Sequence, residues 1–339
     1  MQNIAFVITK SEVGGAQSWL LEQVKLFRDS YKITLITSES GWLTESISCD
    51  EIIFIPQLRK TISIKAIYLI YKAIKDNNID VVVASSANAG LYSRLARIFT
   101  KFRCVYVSHG WSCLYNGRIL KPVFCAIERL LSYLTDVIWC ISKSDETKAI
   151  NEIGIKRHKI ITSLNSITPL PARPSQPCKN KILFLGRLTH PKRPELICNV
   201  VADNHQYSLD VVGDGEYFSS LVSKYKKHSN IKFLGEIKNF KRFHDYDVFV
   251  LTSDSEGLPM SALEAATAGL PLILSDVGGC KEIIDGNGVL ITNTEQSLSS
   301  ALSYIFSSYD DFYHLAHLDK SKFDISNKKD EYSKIIIGH

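Results

Sequence analysis

The chain has 339 residues, which predicts two domains, because one hydrophobic core usually serves about 100 to 200 residues. Hydrophobic residues make up 45% and charged residues 22% of the sequence, which excludes a disordered or collagen-like chain. No apolar run reaches the roughly 18 residues of a membrane-spanning helix, and the N-terminus shows no basic region or cleavage site of an export signal. We therefore expect a cytoplasmic protein.

The charge is unevenly distributed along the chain. Residues 1–170 hold 21 lysines and arginines against 14 acidic residues, a net +7, and the remaining residues hold 19 against 21, a net −2. A basic first half indicates an anionic partner for that half alone. The eight cysteines are scattered without a C-x-x-C pair, which is typical of reduced cysteines rather than of disulfides or zinc ligands.

Short runs rich in valine and isoleucine alternate with helix-period stretches, a pattern that predicts parallel sheets built from βαβ units. In the first half we predict strands at 3–9, 32–37, 51–55, 80–84, 103–108 and 136–141. Helices are predicted between them at 16–29, 62–77, 87–101, 120–134 and 143–152. The strands are apolar almost throughout, so helices should cover both faces of the sheet.

Four prolines within residues 168–177 then predict a linker. Beyond it we predict strands at 181–185, 208–212, 231–234, 247–251, 271–274 and 289–291, and helices at 194–202, 216–227, 259–268 and 294–307. The expected fold class is α/β, with two doubly wound, Rossmann-like domains and a ligand-binding cleft between them, since such sheets bind ligands beyond the carboxyl ends of their strands. The expected parts are a first domain at 1–168, the linker at 169–178, a second domain at 179–320, and a tail at 321–339 that packs back on the first domain.

Glycines mark two turns where the backbone can approach a ligand. Gly14 and Gly15 stand between the first strand and its helix, where N–H groups at a helix N-terminus attract anions. A tight turn without a ligand accounts for this pair equally well. Gly213 and Gly215 begin the best match to a dinucleotide fingerprint, but Phe218 stands where the third glycine belongs, so NAD binding is only weakly supported.

Two cations follow the first strand of the second domain. Arg187 and Lys192 lie on the loop between that strand and the next helix. A guanidinium fork and an ammonium group five residues apart suit a polyphosphate. A solvated basic loop is the simpler alternative.

Two glutamates frame the strongest motif in the chain. The strand at 247–251 is followed by Glu256, Gly257, Leu258, Pro259, Met260 and, four positions later, Glu264. Proline suits the first position of a helix, so we expect a helix that begins at Pro259 and an anion site formed by the N–H groups around it. The glutamates are at most about 12 Å apart along a helix, so one could hold a sugar and the other a ribose across a diphosphate. A structural cap at Glu256 and a solvated Glu264 form the alternative.

Taken together, these motifs resemble the family 4 retaining glycosyltransferases of GT-B fold that build bacterial polysaccharides and lipid-linked glycans. The resemblance rests on the two glutamates, the Gly-Arg...Lys loop at 186–192, the Val-Gly-Asp-Gly turn at 212–215 and the glycines at 14 and 15, in the family's order. It implies transfer of a sugar from a nucleotide diphosphate sugar, with a UDP-sugar favoured, to a glycan or polyprenyl-diphosphate-linked acceptor. It also implies a retained anomeric configuration, neither cofactor nor metal, and a place in O-antigen or capsule biosynthesis.

The resemblance implies roles for single residues as well. Arg187 and Lys192 would bind the donor diphosphate, Glu264 the ribose hydroxyls and Glu256 the hydroxyls of the donor sugar. Backbone N–H groups of residues 257–260 would lie near the sugar and the phosphate.

Further positions of the family pattern lie elsewhere in the chain. His109, at the end of a first-domain strand, matches the histidine that reaches the donor sugar, which makes His109, Glu256, Arg187 and Lys192 the candidate catalytic residues. The glycines expected at the donor site are Gly14, Gly15 and Gly213. A histidine that only caps a buried strand end is the alternative for His109. Arg193 and Leu258 depart from the family's glycine and phenylalanine.

A basic stretch suggests where the first domain meets an anionic membrane. Arg94, Arg97 and Lys101 recur at helical spacing, and Arg118, Lys121 and Arg129 follow. Each such cation contributes roughly 1 kcal/mol near an anionic leaflet, so we expect peripheral binding at the inner face of the cytoplasmic membrane. A solvated helix face is the alternative, and no nucleic-acid partner is expected.

Two other functions are compatible with these motifs. A nucleotide-sugar 2-epimerase of GT-B fold needs the same diphosphate site together with further acid and base residues. A non-catalytic scaffold subunit of a polysaccharide assembly complex has no physical need for the four charged residues Arg187, Lys192, Glu256 and Glu264.

Overall fold

The computed structural model describes residues 2–115 and 120–338. The chain divides into two compact units. The first unit comprises Met1–Asn165 and Ile325–His339, and the second comprises Ser166–Asp324. Within the described ranges, no helix combines the length and the apolar character that a membrane span requires.

The first unit is built on a seven-stranded sheet in the order β3-β2-β1-β4-β5-β6-β7, with all neighbouring strands parallel. Its strands are β1 Asn3–Val7, β2 Lys32–Thr37, β3 Glu51–Phe54, β4 Val81–Ala84, β5 Arg103–Ser108, β6 Val137–Cys140 and β7 Ile160–Thr162. The central strands are buried on both faces, because parallel sheets of this kind are covered by helices on each side.

The first unit's helices within residues 2–165 follow the strands in turn. They are α1 Gly15–Phe27, α2 Trp42–Ser46, α3 Ile64–Asp76, α4 Ala87–Ala96, α5 Ser112–Tyr115, α6 Lys121–Leu131 and α7 Lys143–Lys148. α3, α4 and α6 pack side by side over a core that includes Ile70, Tyr92 and Cys125. The fourth helix ends at Ala96, five residues before its predicted end, since the chain must turn to enter β5.

The second unit repeats the design with a six-stranded parallel sheet in the order β10-β9-β8-β11-β12-β13. Its strands are β8 Lys181–Leu185, β9 Ser208–Val212, β10 Ile231–Gly235, β11 Val248–Leu251, β12 Leu272–Ser275 and β13 Gly288–Ile291. Its helices are α8 Pro194–Ala202, α9 Phe218–Tyr225, α10 Met260–Thr267, α11 Glu295–Ser307 and α12 Tyr309–Asp319. The prediction of two doubly wound α/β domains is confirmed.

The last helix, α13 Lys329–Ile337, lies on the first unit against β4 and β5. The Arg103 guanidinium donates hydrogen bonds to the carbonyls of Ile336 and Ile335, at 2.8 and 3.1 Å. These carbonyls stand at the negative end of the helix, where a cation is stabilising.

The proline-rich segment differs from the expected linker. Residues 169–178 form no helix or strand, but they belong to the second unit. Arg173 is buried, pairs with Asp247 and donates from Nε to the carbonyl of Tyr246 at 2.8 Å. A buried guanidinium with these partners fastens the segment to the second unit, so the division between the units falls at residue 165 instead.

Candidate functional site

The residues expected to bind the donor nucleotide lie at the carboxyl ends of β8, β9, β11 and β12, which meet at one edge of the second unit's sheet. Ligands of doubly wound sheets bind at this edge.

The loop after β8 is fastened to the segment after β11. The Arg193 amide donates to the carbonyl of Thr252 at 2.9 Å, and the Asp254 amide donates to the carbonyl of Pro191 at 2.8 Å. The Thr252 hydroxyl returns a bond of 2.6 Å to the carbonyl of Arg193. This pairing of two strand-end loops fixes Lys192 beside the motif that begins at Glu256.

Lys192 and Glu256 form an ion pair in which Nζ donates to Oε1. The side chains are only 16% and 10% exposed, so each ion is largely removed from water and depends on the other. The structure therefore brings together two of the residues predicted for the donor site. A ligand that offers an anion to the ammonium and hydroxyl groups to the carboxylate would satisfy both charges.

Three close backbone approaches rigidify this edge. Gly213 has a φ of 143°, and a Cβ there would lie 1.9 Å from the carbonyl oxygen of Gly186. Gly278 has a φ of 55°, and a Cβ there would lie 1.8 Å from the carbonyl oxygen of Glu256. The Gly279 amide donates to the carbonyl of Gly257 at 2.7 Å. Only glycine fits positions 213 and 278, so the geometry around Glu256 depends on them.

Sequence reasoning missed Gly278 and Gly279. The signal was present, since this glycine pair follows the predicted strand at 271–274 just as Gly14 and Gly15 follow the first strand. Of the two residues, Gly278 is the one that must be glycine, because a Cβ at that position would clash with the carbonyl oxygen of Glu256.

Arg187 lies on the same loop as Lys192, and Glu264 lies in α10, the helix that follows Glu256. Arg187 is exposed on the loop after β8, and none of the described residues forms an ion pair or a hydrogen bond with its guanidinium. Glu264 is half-buried within α10. The guanidinium can therefore bind an anionic ligand without first breaking a contact.

The helix after the motif begins one residue later than predicted. Pro259 is the N-cap residue of α10 rather than its first helical residue, with a ψ of 120° that lies outside the helical range. Leu258 and Met260 are buried, so their side chains belong to the core of the chain.

In the first unit, the glycine turn after β1 is less constrained than the turns of the second unit. Gly14 is the N-cap of α1, with a φ of −179° that any residue can adopt. A Cβ there would meet only the end of the Gln17 side chain, 2.6 Å from Oε1. Gly15 is the first residue of α1. The backbone of this turn does not require glycine at position 14.

His109 follows β5 in the first unit. Its ring packs edge-on against Trp19 of α1, with ring centroids 5.1 Å apart. The residue is partly exposed, but Nε2 is buried and has no hydrogen-bond partner within the described residues. Burial lowers the pKa of His109 from 6.5 to about 3. The imidazole is therefore neutral near pH 7 and can serve as a hydrogen-bonding group, not as a cation.

The predicted membrane-facing cations are placed differently from expectation. Arg94 is buried and bonds both carboxylate oxygens of Glu128, at 2.9 and 3.2 Å. Arg97 pairs with Asp136 at 2.6 Å. Arg118 lies outside the described residues. The prediction that Arg94 faces a membrane is wrong, because its charge is used inside the first unit.

Comparisons with known proteins cover both units. Residues 13–168 match the family model "Glycosyltransferase Family 4", and residues 171–315 match "Glycosyl transferases group 1". The chain is 52% identical over 338 residues to the O-antigen biosynthesis glycosyltransferase WbnH of Escherichia coli, with 100% of each chain covered. It is 29% identical over 328 residues to the Escherichia coli UDP-Gal:alpha-D-GlcNAc-diphosphoundecaprenol alpha-1,3-galactosyltransferase, with 86% of this chain and 81% of that protein covered.

Among solved structures, the Anabaena protein HepE in complex with UDP-glucose has a TM-score of 0.84 to this chain at 17% identity. The match covers 98% of this chain and 99% of the other. This likeness shows the fold of both units.

Proposed function

Because this chain belongs to the family 4 glycosyltransferases, we propose that it transfers a sugar from a UDP-sugar to a lipid-linked glycan with retention of the anomeric configuration. The predictions of a glycosyltransferase and of a GT-B fold are confirmed. O-antigen assembly is the proposed setting, supported by the similarity to WbnH. The observation that carries the proposal is the Lys192–Glu256 pair, held at the sheet edge by glycine-dependent loops.

The donor's parts are assigned to the charges at this edge. Arg187 and Lys192 bind the diphosphate, Glu264 binds the ribose and Glu256 binds the hydroxyls of the sugar. Donor binding then replaces the Lys192–Glu256 ion pair. Phosphate oxygens become the partners of Lys192, and sugar hydroxyls become the partners of Glu256. A UDP-sugar is supported by the UDP-Gal named for one relative and by the UDP-glucose bound in a structural neighbour.

The chemical step requires a stabilised leaving group. An oxygen of the acceptor hydroxyl bonds to the anomeric carbon while the bond from that carbon to the diphosphate oxygen breaks, and the hydroxyl proton passes to the departing phosphate. Negative charge grows on the diphosphate, where Arg187, Lys192 and the N-terminal end of α10 would stabilise it. We propose that these groups act in place of a metal ion, and retention follows from attack on the face that the phosphate leaves.

His109 supplies a neutral group to the donor sugar. Its lowered pKa keeps the ring uncharged, so it would not compete with Arg187 and Lys192 for the diphosphate. The buried Nε2 lacks a partner among the described residues, and a sugar hydroxyl would provide one.

The acceptor is a glycan on a polyprenyl diphosphate, reached at the inner face of the cytoplasmic membrane. The diphosphoundecaprenol acceptor named for one relative supports the lipid. The basic first unit supports contact with an anionic surface, since residues 1–170 carry a net +7. The first unit is therefore the proposed acceptor-binding domain and the second the nucleotide-sugar-binding domain.

The proposal is tested by incubating the protein with a panel of nucleotide sugars, first for donor hydrolysis and then with a lipid-linked acceptor in EDTA. We expect one UDP-sugar to lengthen the acceptor and the new linkage to keep the donor's anomeric configuration, as read by NMR. An inverted linkage would contradict retention, and loss of activity in EDTA would contradict the metal-free mechanism. An epimerised donor without a lengthened glycan would point to the epimerase instead.

A further inference from the structure

The sixth helix of the first unit turns a largely apolar side towards solvent and buries a side that contains a glutamate. α6 buries Cys125, Glu128 and Leu131, while it exposes apolar residues. Val123 is 53%, Phe124 37%, Ile127 40% and Leu130 66% exposed, and Tyr133, just beyond the helix, is 54% exposed. These five side chains are called the α6 face below: Val123 and Phe124 lie four and three residues before Ile127, and Leu130 and Tyr133 follow it at steps of three, so they share one side of the chain here. Contiguous exposed apolar side chains mark an interaction surface.

A buried ion pair fixes this orientation. Glu128 points inward to Arg94, which also stands 4.2 Å from the centre of the Tyr106 ring. Turning the helix to bury the α6 face would withdraw Glu128 and leave the buried guanidinium without its counterion, which is strongly unfavourable. The apolar residues therefore stay outward for a structural reason.

The surroundings of the α6 face are basic. α3 lies in the same helix layer, joined to α6 through α4, and exposes Lys65, Lys72 and Lys75. It also exposes Ile64 at 82% and Tyr68 at 58%. Within α3 and α6, Asp76 is the one exposed acidic residue, and Arg129 adds a cation on α6 itself. Exposed apolar and aromatic side chains on α6, with exposed cations on α6 and on α3 of the same helix layer, complement an anionic bilayer with its acyl boundary and its phosphate headgroups.

We propose that the α6 face inserts into the headgroup–acyl boundary of an anionic membrane, with the α3 cations on the headgroups. This replaces the predicted surface, since Arg94 takes no part and α6 rather than α4 supplies the contact. α6 packs on α5, the short helix that follows His109. The surface thus places the acceptor side of the first unit near a lipid-linked acceptor, a consequence that rests on the proposed function.

A tryptophan reporter tests insertion directly. The four native tryptophans, Trp19, Trp42, Trp111 and Trp139, are all buried, so Phe124→Trp adds the one exposed indole. With vesicles of phosphatidylglycerol and brominated phosphatidylcholine, we expect its fluorescence to shift to the blue and to be quenched. Leu318→Trp, at a position that is 63% exposed on α12 of the second unit, is the matched control and should stay unquenched. An unquenched Phe124→Trp at low salt would overturn the proposal.

Binding measurements separate the apolar and the charged contributions. Ile127→Ser/Leu130→Ser should weaken vesicle co-sedimentation by about tenfold or more, and Lys65→Glu or Lys72→Glu by about fivefold each. Added salt should also weaken binding, and Leu318→Ser should not. A concentration-dependent dimer that Ile127→Ser/Leu130→Ser disperses, with no vesicle binding, would assign the α6 face to a second copy and contradict the proposal.

Measuring vesicle binding and sugar transfer separately distinguishes an error in the membrane surface from an error in the proposed function. Donor hydrolysis in solution by Ile127→Ser/Leu130→Ser should equal that of the parent, with an unchanged circular dichroism spectrum as evidence of folding. Sugar transfer without vesicle binding would overturn the membrane surface alone. Vesicle binding without transfer from any nucleotide sugar would overturn the proposed function alone.

Discussion

The two units use the same doubly wound design but put different chemistry at the ends of their strands. The second unit presents Lys192 and Glu256 as a shielded ion pair, with Arg187 exposed on the loop that also carries Lys192. The first unit presents His109, which burial keeps neutral, against the ring of Trp19. Under the proposed function, the charged groups would hold the diphosphate and the neutral ring would contact the sugar. The sheet supplies the position, and the loop residues decide what it binds.

The units also differ in what a buried arginine does. In the second unit, Arg173 pairs with Asp247 and fastens the proline-rich segment. In the first, Arg94 pairs with Glu128 and holds α6 with its apolar residues outward. A buried arginine–carboxylate pair therefore holds a proline-rich segment against the second unit, whereas the corresponding pair in the first unit keeps the apolar side chains of α6 exposed.

The largest expected effect comes from removing a charge of the second unit. Lys192→Ala should lower kcat about a hundred- to a thousandfold with saturating donor, because leaving-group charge loses a buried cation. Steady-state kinetics with the lipid-linked acceptor measures it. Lys226→Ala removes an exposed lysine from the same unit and should leave kcat unchanged. Equal kcat values for Lys192→Ala and the parent would contradict the role of the second unit's charges in stabilising the leaving group.

A smaller effect should follow from the glycines that shape the donor edge. Gly278→Ala would push a methyl group into the carbonyl of Glu256, so we expect a loss of about 2 kcal/mol or more in the free energy of unfolding and weakened UDP binding. Gly235→Ala also sits at a positive φ, 70°, but meets no atom within 4 Å. It should cost about 1 kcal/mol and spare UDP binding. Similar denaturation midpoints for both variants would show that the close approach at Gly278 is unimportant.

The smallest effect concerns the pH dependence of the first unit. The pKa of His109 is about 3 in the folded chain against an ordinary 6.5, so the unfolded chain takes up a proton first as the pH falls. The stability linked to the neutral ring is complete above pH 6.5 and is lost progressively towards pH 3. Tm should therefore fall more steeply with acid in the parent than in His109→Gln, by about a few degrees. Parallel Tm curves would contradict a His109 ring that stays neutral in the folded chain.

Periodicity predicted most of the fold, because βαβ alternation and turn residues are local signals. The helix at Pro194–Ala202 and the strands at Lys181–Leu185 and Ser208–Val212 have the predicted bounds. α12 and α13 were not predicted, since polar residues interrupt their apolar spacing and tertiary contacts complete them. The linker was misplaced for the same reason, as only the fold reveals Asp247 beside Arg173.

At the candidate site, the motif predicted on which loops and helix the charged residues lie, but not how Lys192 and Glu256 meet. The Lys192–Glu256 pair joins residues 64 positions apart, through loop contacts that no local pattern encodes. The orientation of α6 was equally hidden, because an apolar stripe predicts burial, and only the Arg94–Glu128 pair shows that the stripe faces outward.

Calorimetric titration of UDP and of the UDP-sugar donor tests the central claim most directly, that Glu264 binds the nucleotide and Glu256 the sugar. Glu264→Ala should weaken UDP binding by about tenfold, roughly the loss of one charged hydrogen bond. Glu256→Ala should leave UDP binding close to that of the parent and weaken only the gain in affinity that the sugar provides. Equal loss of UDP affinity in both variants would contradict the division of roles at the donor edge.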